Sequence, residues 1–209
     1  SYIFLKDTRL ADGTRAFNYY KGFLSWKVDG NTDVSIVEGT DDIDIPSWLD
    51  LTESNAEHSL LDDILADCPA QYANEDGTPF IKWDKVHGTL KILDTHTLHY
   101  VKMPANHIVI DFDIKDDTGK KSKKLNLEAA SKWPPTYAEF SKSGSGLHLH
   151  YIYNGDVNEL KPIFSDDIEI KVFKGNSSLR RCLTKCNDIP VNSINSGLPK
   201  KEAKKKVIN

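Results

Sequence analysis

Cysteine and methionine are scarce in this chain, and long hydrophobic runs are missing. Three of the 209 residues are cysteine and one is methionine, which is too few cysteines for a disulfide-stabilised scaffold. Cys182 and Cys186 have the spacing of half a zinc site, but no second pair completes it, so reduced cysteines are the better interpretation. No apolar segment approaches the roughly 18 residues that span a bilayer, and the first residues do not resemble a signal peptide. These absences predict a cytoplasmic protein with no membrane partner.

Neither acidic nor basic residues dominate the chain as a whole. Its 27 Lys and Arg face 31 Asp and Glu, for a net charge of −4, which argues against a protein coated in nucleic acid. The charges are uneven, because residues 171–209 hold ten Lys and Arg against two acids, a net of +8 that leaves −12 for residues 1–170. A local cationic groove therefore remains compatible with a nucleic-acid partner.

The order of the predicted elements favours an α+β fold. Strand patterns occur at 107–113, 147–153 and 168–173, and helical patterns occur at 54–67 and 125–133. Strands and helices do not alternate regularly, so a mixed or antiparallel sheet fits better than a doubly wound parallel sheet.

One domain is predicted over residues 1–196. It comprises a partly acidic N-terminal subregion at 1–100 and a core at 101–196 that carries the motifs described next. Residues 197–209 are rich in lysine and are predicted to form a basic linker or tail.

The first motif, Ile110-Asp111-Phe112-Asp113, ends an apolar strand. Side chains alternate along a strand, so Asp111 and Asp113 share one face while Ile110 and Phe112 point to the core. Two carboxylates on one face repel each other unless a cation lies between them, and such oxygen pairs suit hard divalent metals. A solvated strand end is the alternative that this motif alone leaves open.

The second motif is a Ser- and Gly-rich turn, Ser-Lys-Ser-Gly-Ser-Gly, that leads into the strand Leu-His-Leu-His over residues 141–150. Its glycines allow backbone N–H groups to surround an anion. Strand alternation places His148 and His150 on one face, where His148 can donate to a phosphate and Lys142 adds a positive charge. A plain hairpin turn before a half-exposed strand is the alternative.

The third motif lies in the strand pattern at 168–173, where Glu169 and Lys171 share a face. Arg180 and Arg181 follow and offer guanidinium groups of the kind that bind phosphates. In isolation, an amphipathic strand and surface arginines explain these features. Together, the three motifs supply three carboxylates, a phosphate-binding turn with a histidine, and nearby arginines, which is the set that two-metal nucleotidyl transfer requires.

The ordered triple of Asp-x-Asp, Ser-x-Ser-Gly-x-Gly-Leu-His and a glutamate between apolar residues resembles the archaeo-eukaryotic primase superfamily. More narrowly, it is similar to the primase-polymerase domains of phage and plasmid replication proteins, over residues 107–181. The resemblance implies a DNA-directed primase-polymerase, in the host-cell cytoplasm if it is phage-encoded. It also implies an RNA-recognition-motif-like sheet flanked by helices, with a catalytic cleft on the sheet. Family members often continue into a helicase domain, which the lysine-rich linker would suit.

The resemblance further implies roles for individual residues. Asp111, Asp113 and Glu169 would bind two Mg²⁺ or Mn²⁺ ions. The phosphates of an incoming dNTP or NTP would be contacted by a second set: Lys142, Ser143, Ser145, Gly146, His148, and Arg180 or Arg181. The partners would be a single-stranded DNA template, a primer and nucleoside triphosphates.

Two other functions remain open from the sequence. His148-Leu149-His150 matches the His-hydrophobic-His metal motif of rolling-circle nickases and relaxases, which need a tyrosine nucleophile. Tyr19 or Tyr20 would serve in the relaxase order, although the three acids then have no joint role. The other alternative is a non-catalytic single-stranded DNA-binding module in which aromatic side chains stack on bases.

Overall fold

The computed structural model describes residues 45–51 and 59–202, together with the backbone of four strands within residues 1–44. The chain divides into two compact units, Ser1–Asp44 and Ile45–Asn209. In the first unit each strand pairs antiparallel with the next, in the order β1 (Phe4–Arg9), β2 (Arg15–Tyr19), β3 (Gly22–Trp26) and β4 (Ser35–Val37). The second unit carries all three sequence motifs.

The described part of the second unit contains mostly short strands and few helices. Its α-helices are α1 (Leu60–Ile64) and α2 (Lys123–Ala130). Its strands are β5 (Ala70–Tyr72), β6 (His99–Val101), β7 (His107–Phe112), β8 (Ala138–Phe140), β9 (Leu147–Tyr153), β10 (Ile163–Ser165), β11 (Ile168–Val172), β12 (Leu179–Arg181) and β13 (Asn192–Ile194). The predicted α+β class is confirmed, and the strand pairs are mostly antiparallel.

The main sheet has six strands, and its spine runs in the order β10-β11-β7-β9-β13. β8 and β13 share one edge of β9, with β8 beside its first half and β13 beside its second. The β13–β9 pair is parallel, and the other pairs of this sheet are antiparallel. β7 lies at the centre, and all six of its residues are buried.

Alternation along β7 separates two buried faces of this sheet. Ile108, Ile110 and Phe112 are fully buried on one face and join a core cluster that includes residues of α2. Val109 lies on the other face, in a second cluster with Val101 of β6 and residues of β12 and β5, the strands that form a separate three-stranded sheet. The polar residues of β7 and β9 that share the face of Val109 therefore project towards the second sheet.

The helices begin at serine caps. Ser59 accepts a hydrogen bond from the Asp62 backbone N–H at 3.1 Å and so starts α1, while residues 54–58 of the predicted 54–67 helix lie outside the described residues. Leu61 and Leu65 are fully buried, whereas Leu60 and Ile64 are exposed. Within the described residues, neither α-helix has the length and apolar character needed to cross a bilayer.

Candidate functional site

Three neighbouring strands bring one residue of each motif side by side. In the central sheet, Asp111 of β7 lies opposite His148 of β9 on one side and opposite Glu169 of β11 on the other. Directly paired residues of antiparallel strands project from the same face, with Cβ atoms about 4.5–5.5 Å apart. The structure therefore places the first aspartate, the histidine and the glutamate in one row across the sheet.

Asp111 is the buried member of that row. Its side chain is 8% exposed; its Oδ1 lies 3.3 Å from His148 Nε2, and its Oδ2 forms an ion pair with Lys171. Burial alone would raise the pKa of Asp111, but the contacts with His148 and Lys171 outweigh it, so the pKa lies well below its usual value. The carboxylate is thus ionised and in contact with the Lys171 ammonium group.

The other two predicted acids are more exposed than Asp111. Asp113 follows the end of β7, where its backbone N–H donates to the Asp167 carbonyl at 2.8 Å and its carboxylate pairs with Lys121 at 2.6 Å. Glu169 is exposed. The three acids lie on one side of the sheet, but they do not form a closed ligand cluster among the described residues.

The glycine-rich turn packs against this strand end. The Ser141 backbone N–H donates to the Gly146 carbonyl at 2.8 Å, which closes the turn, and Gly144 has a positive φ of 73°. A Cβ at Gly146 would lie 2.7 Å from both Asp113 Oδ1 and Ser141 Oγ. The second glycine is therefore required for the close approach of the turn to the aspartate.

Asn126 of α2 fixes the turn relative to the strand, a role that sequence reasoning missed. Its side-chain Oδ1 accepts from the Ile114 N–H at 2.8 Å, and its Nδ2 donates to the Ser145 carbonyl at 2.7 Å. The residue is fully buried. An asparagine on a helix face gives no sign in the sequence of which loops it will bridge.

A cleft of about 470 Å³ opens over this face. Four cationic side chains and two carboxylates line it, so its charge is positive overall. The lining comprises Asp111, Asp113, Lys121, Ser141, Lys142, Ser143, His148, Lys171, Phe173, Ser178, Leu179 and Arg180. Lys142, Ser143 and His148 of the predicted phosphate-binding set thus lie with the aspartate pair, as does Gly146 through its contact with Asp113.

The two adjacent arginines have opposite environments because side chains alternate along β12. Arg180 is exposed and lines the cleft. Arg181 is 2% exposed; its Nε lies 2.9 Å from both carboxylate oxygens of Glu139, and it also pairs with Asp62 of α1. Of the two arginines that the sequence left open, Arg180 is the one placed for a ligand in the cleft.

A second polar cluster lies behind His148. One ligand atom each from Glu139, His148 and His150 lies within 4.8 Å of the others, and all three residues are buried. This is a group that can hold a metal ion. Glu139 was missed in the sequence, although the hairpin register across the glycine turn pairs it with His148.

Strong ionic contacts hold Glu139 in its charged form. Burial would raise its pKa, but Arg181 first and His150 second keep the pKa of Glu139 well below its usual value. Burial lowers the pKa of His150, so this ring is neutral at physiological pH.

The sequence also singled out two tyrosines and two cysteines. Tyr19 ends strand β2 of the first unit, its side chain lies outside the described residues, and so does the whole of Tyr20. Cys182 donates through its Sγ to the His96 carbonyl at 3.0 Å, and Cys186 is buried. Neither cysteine takes part in a three-ligand cluster within the described part of the chain.

Comparison with known proteins adds no relative to these observations. No protein-family model matches the chain, and a search of curated proteins likewise found no match.

Proposed function

We propose that this protein is a template-directed nucleotidyltransferase, a DNA primase-polymerase that acts on single-stranded DNA with two divalent metal ions. The observation that carries the proposal is the row of Asp111, His148 and Glu169 across three adjacent strands, beside a cleft lined by four cations. The α+β sheet with a helix packed on its other face also fits the RNA-recognition-motif-like arrangement that the motifs imply.

The acids suit Mg²⁺ or Mn²⁺ because all of their ligand atoms are hard oxygens. Asp111 Oδ1 is buried, and its 3.3 Å contact with His148 Nε2 lacks the geometry of a hydrogen bond, so a cation or water would satisfy this oxygen. Lys121 and Lys171 place ammonium groups on the two aspartates, which marks both as positions with an affinity for positive charge. Asp111, Asp113 and Glu169 would hold the ions, which lower the pKa of a primer 3′-hydroxyl and stabilise the leaving pyrophosphate.

The cationic side chains would orient the triphosphate. Lys142 reaches the cleft from the glycine turn, and Arg180 reaches it from β12. Phosphates held between them lie beside the aspartates, and the turn can add backbone N–H donors. His148, which faces Asp111, would position that carboxylate and contact the nucleotide.

A groove that would suit the template borders the same loop as the cleft. Phe80 is 67% exposed, and it lines a groove of about 920 Å³ with Trp83, Lys82 and Lys85. Exposed aromatic rings with nearby lysines are the features by which proteins bind single-stranded DNA without sequence preference. The 173–178 loop joins the two places, because Asn176 lines the groove and Ser178 lines the cleft.

The experiment that tests the proposal measures primer extension and primer-free synthesis on single-stranded DNA. The protein is incubated with Mn²⁺ or Mg²⁺ and with either dNTPs or NTPs. Product should form with the wild type and with Asp117→Asn, an exposed control on the neighbouring loop, and should fall by at least about 10³-fold in Asp111→Asn. An unchanged rate in Asp111→Asn, or no synthesis by the wild type under any of these conditions, would refute the proposal.

A nickase of the His-hydrophobic-His class is the second candidate, favoured by one observation. Glu139 lies with His148 and His150 in a group that can hold a metal ion, and it would serve as the third ligand. Cleavage of single-stranded DNA that disappears in Tyr19→Phe or Tyr20→Phe but persists in Asp113→Asn would support this candidate. Oligonucleotide binding with neither synthesis nor cleavage would instead indicate a binding module.

A further inference from the structure

Four buried polar atoms on one face of the main sheet make no hydrogen bond. They are His107 Nδ1, Asp111 Oδ1, His148 Nδ1 and His150 Nε2. His107 and His150 are fully buried, and His148 is 7% exposed. An unsatisfied buried polar group is destabilising, and such groups in native proteins commonly mark a bound ion or water. Their concentration on neighbouring strands indicates an occupant.

One of the free histidine nitrogens faces a carboxylate, and the second histidine lies close to both. His150 Nε2 lies 3.6 Å from Glu139 Oε1, and a ring nitrogen of His148 completes a triangle in which no two ligand atoms are more than 4.8 Å apart. A tetrahedral zinc ion with bonds of about 2.0–2.2 Å separates its ligand atoms by about 3.3–3.5 Å. The 3.6 Å between His150 Nε2 and Glu139 Oε1 is close to that value, and the spacings to His148, which are at most 4.8 Å, would shorten when an ion binds.

The remaining polar atoms of all three residues are already held by neighbours. His148 turns its Nε2 towards Asp111, and His150 Nδ1 lies 3.0 Å from His107 Nε2. Tyr137 donates to Glu139 Oε2 at 2.8 Å, and Arg181 Nε donates to both oxygens of Glu139 at 2.9 Å, which leaves Oε1 a second lone pair for a metal ion. Metal-binding histidines characteristically have their second nitrogen fixed in this way, which orients the ring and leaves the first nitrogen free to ligate.

The buried charges around the cluster do not balance without a further cation. Asp62, Asp111 and Glu139 are at most a tenth exposed and contribute three negative charges, whereas Arg181, which is 1% exposed, contributes one positive charge. The remainder is −2, and Lys171, which is 38% exposed, offsets only part of it. A bound cation would offset the negative charge that remains in the buried network.

We propose that Glu139, His148 and His150 bind a single transition-metal ion of the zinc class. Two imidazoles and one carboxylate suit zinc better than Mg²⁺, which prefers oxygen ligands. The ion ties β8 to β9 behind the cleft and fixes the His148 ring that faces Asp111. It is distinct from the hard-metal pair proposed at the aspartates, and this inference stands whether or not the protein is a polymerase.

The test measures metal content and metal-dependent stability of the full chain, without nucleotide or DNA. The metal content of the protein purified without chelators is measured, the metal is removed with a chelator, and Zn²⁺ or Co²⁺ alone is titrated back. We expect about one equivalent of Zn²⁺ per chain, a visible absorption band with Co²⁺, and a melting temperature that rises with Zn²⁺ concentration. An aspartate-bound Mg²⁺ gives none of these signals.

Variants locate the ion. His150→Gln should weaken Zn²⁺ binding more than about 100-fold. Tyr137→Phe removes the hydrogen bond to Glu139 and a longer one from Arg181 but no ligand, and it should weaken binding by about 10-fold. His87→Asn, at an exposed histidine, and Asp113→Asn should bind as the wild type does. If His150→Gln does not fold, the Tyr137→Phe result decides. No stoichiometric Zn²⁺ or Co²⁺ binding by the folded wild type, or equal binding by Tyr137→Phe, would overturn the proposal and leave a water-filled polar cluster.

Discussion

Replacing Arg180 and Arg181 one at a time by methionine should show that one arginine stabilises the fold and the other binds a ligand. Arg181 is buried against Glu139 and Asp62, with Nε 2.9 Å from both Glu139 oxygens. Arg181→Met fills similar space but leaves two carboxylates buried without their cation. Breaking one partner of a buried ionic network costs about 3–5 kcal/mol, because the remaining charge is uncompensated. Arg180 is exposed, so Arg180→Met should change the free energy of unfolding by less than about 0.5 kcal/mol.

Urea unfolding followed by tryptophan fluorescence measures this difference. Three of the four tryptophans, Trp48, Trp83 and Trp133, belong to the second unit, so the signal reports mainly on that unit. For a domain of this size, the expected loss in Arg181→Met corresponds to a melting temperature lower by roughly 6–20 °C.

For nucleotide affinity we expect the larger effect from Arg180→Met, the variant that leaves stability unchanged. Losing a charged hydrogen-bond donor at the cleft costs about 1.5–3 kcal/mol, so Arg180→Met should weaken triphosphate affinity about tenfold or more. The reasoning fails if Arg181→Met is as stable as the wild type. It also fails if Arg180→Met is the variant that loses stability while keeping its affinity for nucleotide.

Three further changes test other parts of the structure. Gly146→Ala would place a methyl group 2.7 Å from Asp113 Oδ1, and we expect a loss of about 1–3 kcal/mol in thermal unfolding; an unchanged melting temperature would contradict the close packing of the turn. Asn126→Ala removes both hydrogen bonds between α2 and the neighbouring loops and should cost about 1–3 kcal/mol, whereas the exposed control Asn154→Ala should be neutral; equal losses would refute a bridging role. Burial lowers the pKa of His99, so the unfolded state takes up this proton first as the pH falls below about 6.5, and folding stability declines there by up to roughly 1.4 kcal/mol per pH unit. In urea titrations between about pH 6.5 and pH 5, His99→Gln should make the free energy of unfolding less dependent on pH, by the equivalent of up to one proton. If the variant and the wild type show the same dependence, His99 is protonated in the folded state.

Local patterns in the sequence predicted several elements closely. The strand at 147–153 has the predicted bounds, and β7 and β11 each end one residue earlier than predicted. These segments are rich in β-branched and aromatic residues, so their intrinsic preference for the extended backbone and the burial of their apolar side chains both favour a strand. Helix α2 covers much of the predicted 125–133 segment and ends ahead of the Pro134-Pro135 pair, since proline cannot continue a helix.

Residues whose roles depend on distant partners escaped prediction. Glu139 appears in the sequence as one acid in a short strand, and its importance comes from Arg181, 42 positions away, and from two histidines across the hairpin. Asn126 likewise acquires its role from loops on either side of α2. A sequence pattern of period two or 3.6 reports which face a residue lies on, but not what that face meets.

The sequence by itself determined the α+β class, the central strands and the face on which each motif residue lies, because alternation along a strand is a property of the backbone. Tertiary structure alone decided which face is closed and which is open. The three-stranded sheet packs over part of this face of the main sheet, where His150 and Arg181 are buried. Beyond that contact Asp111, His148 and Arg180 line an open cleft. Sheet packing is a sum of contacts between segments far apart in the chain, and for that reason no local pattern contains it.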